Sequence, residues 1–174
     1  KYFKVITFPG KMPSEVLKNK EILIGFDPKL ITNKNLKIFF GKSKCKFKPL
    51  NINLIDRVWR RKIINNKSKF YFLRNKEIGS NYKIKLTRLV TFLKKKSADY
   101  QFITASENNA WLLNIRGDDE EYTPVPHSHL LINKNGDIKF FCNTNKISKS
   151  FKNQFKEIQF LDFNTIKKNL SNIC

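Results

Sequence analysis

Two histidines and a run of four acids lie close together in the chain, and both residue types bind metal ions. The acids are residues 118–121, DDEE, and the only two histidines are His127 and His129. On a β-strand the two histidines would point to one face and could offer two nitrogens to zinc, with a carboxylate of the acidic run as a further donor. A catalytic zinc site also needs a third ligand, an open position and supporting hydrogen bonds. The sequence reveals none of these, so partly buried strand histidines beside a solvated loop are the favoured interpretation.

Other catalytic patterns are missing from the sequence, which leaves Arg116 as the remaining candidate. The chain has no GxSxG, no cysteine adjacent to a histidine, no glycine-rich phosphate loop and no EF-hand pattern. Arg116 is predicted at a helix end, before Gly117 and the acids. Its guanidinium group could pair with a carboxylate through two hydrogen bonds, either within its own loop or on a partner.

The length and composition predict a soluble globular protein of one domain, or one domain plus part of another. The chain has 174 residues, 40% of them hydrophobic. Its three cysteines are widely spaced and odd in number, so they predict neither a disulfide framework nor a zinc knuckle, and a cytoplasmic location fits best. No apolar run approaches the ~18 residues of a membrane span, and no membrane partner is expected. The chain starts with Lys1 in a strand-like segment, residues 1–8, which suggests a fragment.

The net charge of +21 suggests nucleic acid as a partner, because basic proteins attract polyanions. The excess is mostly lysine, however, and Asn, Ile and Phe are also abundant, which is the amino-acid profile of an A+T-rich genome. The lysines are spread along the chain, with a single run at residues 94–96. A solvated surface is therefore favoured over a dedicated nucleic-acid patch.

The first sixty residues predict alternating strands and helices. Residues 21–28 and 45–51 have extended patterns. Thr32 can cap a helix over residues 33–40, and Asn53 can cap a second helix that follows it. The basic, non-periodic residues 60–66 predict a connector and a domain boundary, which gives domains 1–60 and 61–174.

The second part predicts a mixed sheet with flanking helices, and therefore the α/β class. Extended segments are expected at residues 69–73, 100–105 and 157–161. Asn135-Gly136 predicts a hairpin with a type I′ turn. A helix capped by Ser106 is expected to end at Gly117, with Trp111 and Leu112 in the core. Two further helices are expected, one with Tyr82, Leu86, Leu89, Val90 and Leu93 on one face and a terminal one over residues 163–173.

The segment AWLLNIRGDD, residues 110–119, followed by YTPV, resembles eukaryotic-type Xaa-Pro aminopeptidases, which are aminopeptidase P enzymes of the creatinase/prolidase superfamily. Their corresponding segment is approximately AWLLNLRGSDIxYNPVFFSY. IGFDPKLIT and NLIDRVW resemble further family segments in the same order. The resemblance covers nearly all of the chain.

The resemblance implies a creatinase N-terminal-like mixed β-sheet flanked by helices, preceded by part of a similar domain. It also implies that the catalytic pita-bread domain, with its dinuclear site, usually of manganese, is missing from this chain. No residue here is then a metal ligand or a catalytic residue, and the chain alone is expected to be inactive. Arg116 and Asp119, which match the family's R-G-x-D, are the candidates for the substrate cleft or the face toward the catalytic domain.

The sequence departs from the family pattern at the histidines, which replace aromatic positions that the family does not use for metal. The leading hypothesis is a noncatalytic N-terminal module that shapes the substrate cleft and the assembly of a peptidase. Its expected partners are the catalytic domain and, through the intact enzyme, proline-containing peptides; a homodimer is possible. The alternatives are a stand-alone basic module that binds nucleic acid, or a nonfunctional remnant of a split peptidase gene.

Overall fold

The chain divides into two compact units, Lys1–Ile63 and Ile64–Cys174. The structure is a computed structural model that describes residues 4–59 and 67–173. The connector expected at residues 60–66 lies outside the described residues. The assignment of the first sixty residues to a domain similar to the second stays a prediction.

The described part of the first unit has a two-stranded parallel sheet and short helices. Strand β1 (Leu23–Phe26) pairs with β2 (Lys46–Pro49), so that Ile24 lies opposite Phe47. The helices are α1 (Pro13–Val16), α2 (Asn33–Phe40) and α3 (Leu54–Val58). Parallel pairing places a helix between the strands, because the connection must cross from one end of the sheet to the other.

Both predicted helix caps of this unit are confirmed. Thr32 Oγ1 accepts a hydrogen bond from Asn35 N at 3.2 Å, and Asn53 Oδ1 accepts one from Ile55 N at 2.9 Å. The strand expected over residues 1–8 is wrong for its described part, because residues 4–7 have no regular structure and pair with no strand.

The second unit contains a four-stranded mixed sheet, which confirms the predicted fold class. The strand order is β4-β6-β7-β8; β7 and β8 are parallel, and the other pairs are antiparallel. These strands are β4 (Tyr100–Ile103), β6 (His129–Asn133), β7 (Ile138–Phe141) and β8 (Ile158–Leu161). A separate antiparallel ladder joins β3 (Tyr71–Phe72) to β5 (Ile115–Arg116). The helices are α4 (Tyr82–Lys95), α5 (Ser106–Leu113), α6 (Lys149–Gln154) and α7 (Ile166–Ser171).

The core of this unit lies between the sheet and helices α4, α5 and α6. Alternate residues of β6 and β7 point toward these helices, and Leu130, Ile132 and Phe140 are fully buried there. Phe151 and Phe155 of the α6 region complete the cluster, with ring centroids 4.9 Å apart. Every second side chain of the strands therefore packs against side chains that repeat about every 3.6 residues along the helices.

Helix α5 ends earlier than the sequence predicts. It stops at Leu113, because Asn114 adopts a left-handed conformation with φ of 56°. Ile115 and Arg116 form strand β5 instead of a last helical turn. The predicted start is also corrected: Ala105 is the capping residue, and Ser106 Oγ accepts a hydrogen bond from Ser128 N at 3.2 Å.

The β6–β7 hairpin is confirmed, but its turn is not type I′. Gly136 has φ of +95°, whereas Asn135 does not have the positive φ that a type I′ turn requires. Gly136 N donates to Asn133 O at 3.0 Å, and the Asn133 side chain accepts from Asn135 N at 3.0 Å. A three-residue loop that ends in a left-handed glycine is the result.

The predicted terminal helix divides into two pieces. Residues Phe163–Thr165 form a 3₁₀ turn capped by Asp162, and α7 follows. Lys139 Nζ of β7 donates to Asn169 Oδ1 at 2.8 Å, which ties α7 to the face of the sheet opposite the main core.

We expect Gly117→Ala to destabilise the second unit by about 1–3 kcal/mol, because there is no room for a methyl group. A Cβ at Gly117 would lie 2.8 Å from Phe70 Cδ1 and 3.0 Å from Pro126 Cα, and both neighbours are buried. Urea denaturation followed by circular dichroism measures the effect. Gly79→Ala is the matched control, since nothing lies within 4 Å of its added Cβ. Equal stability of the two variants would refute the packing argument.

Candidate functional site around Arg116 and Asp119

Two cations cap the C-terminal end of helix α5. Lys85 Nζ donates to the carbonyl oxygen of Trp111 and, at 2.5 Å, to Asn114 Oδ1. Arg116 Nη1 donates to Ala110 O at 3.3 Å and to Ile115 O at 2.8 Å. Terminal carbonyls carry the negative end of the helix dipole, so both positive groups stabilise it.

Asn114 holds the chain reversal between α5 and β5. Its side-chain Nδ2 donates to Ser80 O at 2.9 Å, while its Oδ1 accepts from Lys85. Apart from glycine, Asn is one of the few residues whose backbone tolerates the left-handed region of φ and ψ. The buried Leu113 before it and the buried Ile115 after it can then both face the core.

The ammonium group of Lys85 is buried without a carboxylate partner among the described residues. Only 6% of the residue is exposed. Burial lowers the pKa of Lys85, and the nearby positive charge of Arg116 lowers it further. The end of α5 is therefore a local concentration of positive charge, and the hydrogen bonds from Lys85 to oxygen atoms compensate it only in part.

Asp119 fastens the segment between β5 and β6 to the body of the domain. Its carboxylate pairs with Lys146 Nζ, and these side chains are only 8% and 10% exposed. The other carboxylate oxygen accepts a hydrogen bond from His127 N at 2.7 Å. The structure therefore uses Asp119 in an internal ion pair, a role that the sequence pattern did not indicate.

His127 and His129 do not form a common site. His129 begins β6, where its ring lies between Phe102 and Phe163 at centroid distances of 5.7 and 5.5 Å. His127 precedes the strand, is exposed, and contacts Glu120 through Nε2. The favoured interpretation, partly buried strand histidines, is therefore confirmed for His129 and wrong for His127. Within residues 4–59 and 67–173, no group of three or more His, Cys, Asp or Glu side chains could hold a metal ion.

The sulfur of Cys142 is not a nucleophile in this environment. The residue is fully buried in the core. Burial, together with the charges of Asp162 and Asp119, raises the pKa of Cys142 to about 12. The side chain is therefore a neutral thiol near pH 7 and packs as a small apolar group.

Trp111 is exposed, contrary to the core position predicted for it. Its exposed fraction is 65%, whereas the neighbouring Leu112 is buried as expected. Lys85 Nζ lies 4.3 Å from the centroid of the Trp111 ring, within cation–π range. The sequence pattern places Trp111 beside core residues but cannot show that no other element of this unit covers it.

Sequence reasoning also missed Lys85, Lys146 and the fully buried Asn109. Asn109 Nδ2 donates to Ser128 O at 3.0 Å and thereby ties α5 to the start of β6. Lys85 lies beside Leu86 and three residues after Tyr82, on the face of α4 that the apolar pattern marks as buried. This position was the available signal for Lys85, and the sequence offered none for Lys146.

A family model for the Creatinase/Prolidase N-terminal domain matches residues 62–174, more than half of the chain. The chain belongs to this family. The match covers the Asn114 turn, the Asp119 ion pair and the whole four-stranded sheet. The resemblance of the AWLLNIRGDD segment to this superfamily is therefore confirmed, and the scaffold around Arg116 is that of a creatinase/prolidase N-terminal domain.

Two relatives of the chain are Xaa-Pro aminopeptidases of much greater length. The chain is 29% identical over 142 residues to the Xaa-Pro aminopeptidase ApepP of Drosophila melanogaster, covering 79% of this chain and 23% of that protein. It is 30% identical over 148 residues to Xaa-Pro aminopeptidase 1 of Dictyostelium discoideum, covering 78% and 23%. The chain thus spans about a quarter of the length of these relatives.

A solved structure has the same fold. X-prolyl aminopeptidase from Caenorhabditis elegans, described as a cytosolic enzyme with a di-nuclear active site, matches with a TM-score of 0.75 and 26% identity. The match covers 86% of this chain and 25% of that chain. Since the described residues contain no group of three metal-ligating side chains, they do not fit a dinuclear centre. In the same ranges, no helix is long and apolar enough to cross a membrane.

We expect Asp119→Ala to cost about 3–5 kcal/mol of unfolding free energy, because Lys146 would be left buried and unpaired. Asp99→Ala is the matched control, since its pair with Lys134 is exposed, at 68% for Asp99 and 52% for Lys134, and such pairs contribute about 1 kcal/mol or less. Urea denaturation of each variant measures both values. A loss for Asp119→Ala no larger than that of the control would contradict the structural role of the ion pair.

Proposed function

We propose that this chain is a noncatalytic N-terminal module of an Xaa-Pro aminopeptidase, where it shapes the substrate cleft and the assembly of the enzyme. The observation that carries this proposal is the match of an N-terminal family domain to residues 62–174 in a chain that covers 23% of a named peptidase relative. The reaction of the intact enzyme would be removal of an N-terminal residue that precedes proline.

The metal chemistry of that reaction would belong to polypeptide outside this chain. The C. elegans neighbour is described as having a di-nuclear active site. Among the described residues of this chain, no three or more His, Cys, Asp or Glu side chains form a group that could hold a metal ion. Manganese is the expected metal. A cytoplasmic location is also part of the proposal and is supported by the description of that neighbour as cytosolic.

Arg116 is proposed to face the catalytic part of the enzyme. Among residues 4–59 and 67–173, the hydrogen bonds of the guanidinium group are made by Nη1 to backbone oxygens, so its other N–H groups can donate to a carboxylate from elsewhere. Asp119 is proposed to act from the same segment by holding its shape, because its carboxylate is already paired with Lys146. The two residues thus have separate roles, one at the interface and one that positions the interface.

A chimera tests the module role. The matched N-terminal segment of the Drosophila Xaa-Pro aminopeptidase is replaced by this chain, and cleavage of a fluorogenic peptide with proline at its second position is measured with Mn²⁺. We expect the chimera to cleave the peptide, and this chain alone and the Drosophila enzyme without its N-terminal segment to be inactive. Cleavage of the peptide by this chain alone would show that the chain is itself catalytic and would refute the proposal. A chimera no more active than the truncated enzyme would overturn the module role.

The same chimera tests Arg116. We expect Arg116→Lys to lower kcat/KM about tenfold or more, because it keeps the positive charge at the helix end but loses the planar guanidinium group. Arg74→Lys is the control, since Arg74 is exposed and pairs with Glu77 of its own turn. Equal kcat/KM in both variants, with unchanged melting temperatures, would rule out an interface role for Arg116.

A further inference from the structure

An exposed groove lies between helices α4 and α5, on the side of Trp111. It is a concavity of about 380 Å³, and six of its lining residues carry the argument: Lys85, Arg88, Leu89, Ile103, Asn108 and Trp111. We call it the Trp111 groove. Its volume suits one or two side chains of a binding partner, and it lies apart from the Asp119 ion pair.

The indole of Trp111 is held in place although most of it is exposed. Lys85 Nζ lies 4.3 Å from the ring centroid and also donates to the backbone oxygen of Trp111. Lys85 in turn is fixed by Asn114. A large aromatic side chain held in this way loses little conformational entropy on binding, which favours its use as an anchor.

Exposed apolar side chains are also present on the outer face of α4. Ile84 and Phe92 are 50% and 55% exposed, and they lie four residues before and four residues after Arg88. Residues at this spacing lie along one side of a helix. Arg88 therefore lies between two exposed apolar side chains on the outer face of α4 and also lines the Trp111 groove.

The Trp111 groove carries positive charge, and no acidic side chain is among the described residues that line it. Its lining includes Lys85 and Arg88. None of the hydrogen bonds and ion pairs among the described residues engages the guanidinium group of Arg88. Asn108, which is exposed, can add an amide donor at the rim.

We propose that the Trp111 groove binds a peptide segment of another polypeptide in which an apolar side chain lies next to a carboxylate. The apolar side chain would pack on Trp111, Leu89 and Ile103, and the carboxylate would pair with Arg88. Charge complementarity supports this occupant, since the lining charges are positive and the whole chain carries +21. The proposal does not depend on the peptidase module role.

Two other occupants fit less well. A nucleic-acid strand needs several accessible cations along its backbone, but Lys85 is buried, which leaves Arg88 as the accessible cation of the lining. A second copy of this chain would bring another +21 charges, and such like charges oppose self-association.

An array of random octapeptides, probed with residues 1–174, tests the proposal. We expect the bound peptides to be enriched in Asp or Glu beside aromatic or aliphatic residues. Affinities are then measured by tryptophan fluorescence in a Trp59→Phe background, where Trp111 is the only tryptophan. Adding Arg88→Glu should weaken binding of the best peptide about tenfold or more. Lys168→Glu is the control with the same charge change at an exposed residue of α7, and it should leave the affinity within about twofold.

Several results would overturn the proposal. Bound peptides without enrichment in Asp or Glu would do so, as would equal effects of Arg88→Glu and Lys168→Glu on the affinity. Competition of an oligothymidylate with the best peptide would indicate a nucleic-acid strand as the occupant. A Trp111 fluorescence that changes with protein concentration in the absence of peptide would indicate a second copy of the chain. Trp111→Ala, tested against the array with its melting temperature recorded, gives a second measure. Unchanged peptide binding by a folded Trp111→Ala variant would also refute it.

Discussion

The buried ammonium group of Lys85 is the constraint on which the second unit depends. From helix α4 it donates to the last turn of α5 and to the Asn114 side chain in the left-handed turn. A side chain of α4 thereby binds the left-handed turn at which α5 stops and after which β5 begins. The group is desolvated and lies near Arg116, and its pKa is lowered accordingly. Neutral oxygen atoms of the backbone and of Asn114, rather than a carboxylate, partly compensate the charge.

A second constraint comes from the buried pair of Asp119 and Lys146. It fixes the segment that carries the acidic run, and it leaves the Asp119 carboxylate little freedom to act elsewhere. The other groups of this unit that suggest chemistry are also engaged: His129 is packed between aromatic rings, and Cys142 is a buried thiol. Asp119, in the segment between β5 and β6, and His129, at the start of β6, therefore have structural roles.

Local interactions explain where sequence reasoning succeeded. The caps by Thr32 and Asn53 depend on atoms two or three residues away, and the apolar face of α4 depends on helical periodicity alone. The two hairpin strands follow from apolar runs around Asn135-Gly136. The type of turn could not be predicted, because Asn133 side-chain hydrogen bonds select a three-residue loop instead of the two-residue one.

The chain's α/β class, most of its helices and strands and its family resemblance follow from periodicity, capping residues and the AWLLNIRG segment, which are local properties of the sequence. The candidate residues Arg116 and Asp119 were chosen from the same segment, and their functional role stays a proposal. Their surroundings were not predicted, because the Lys85 and Lys146 contacts join residues that are distant in the chain. The exposure of Trp111 was likewise decided by tertiary structure. Apolar periodicity marks a side chain as suited to burial, but only the arrangement of α4, α5 and the sheet determines whether anything covers it.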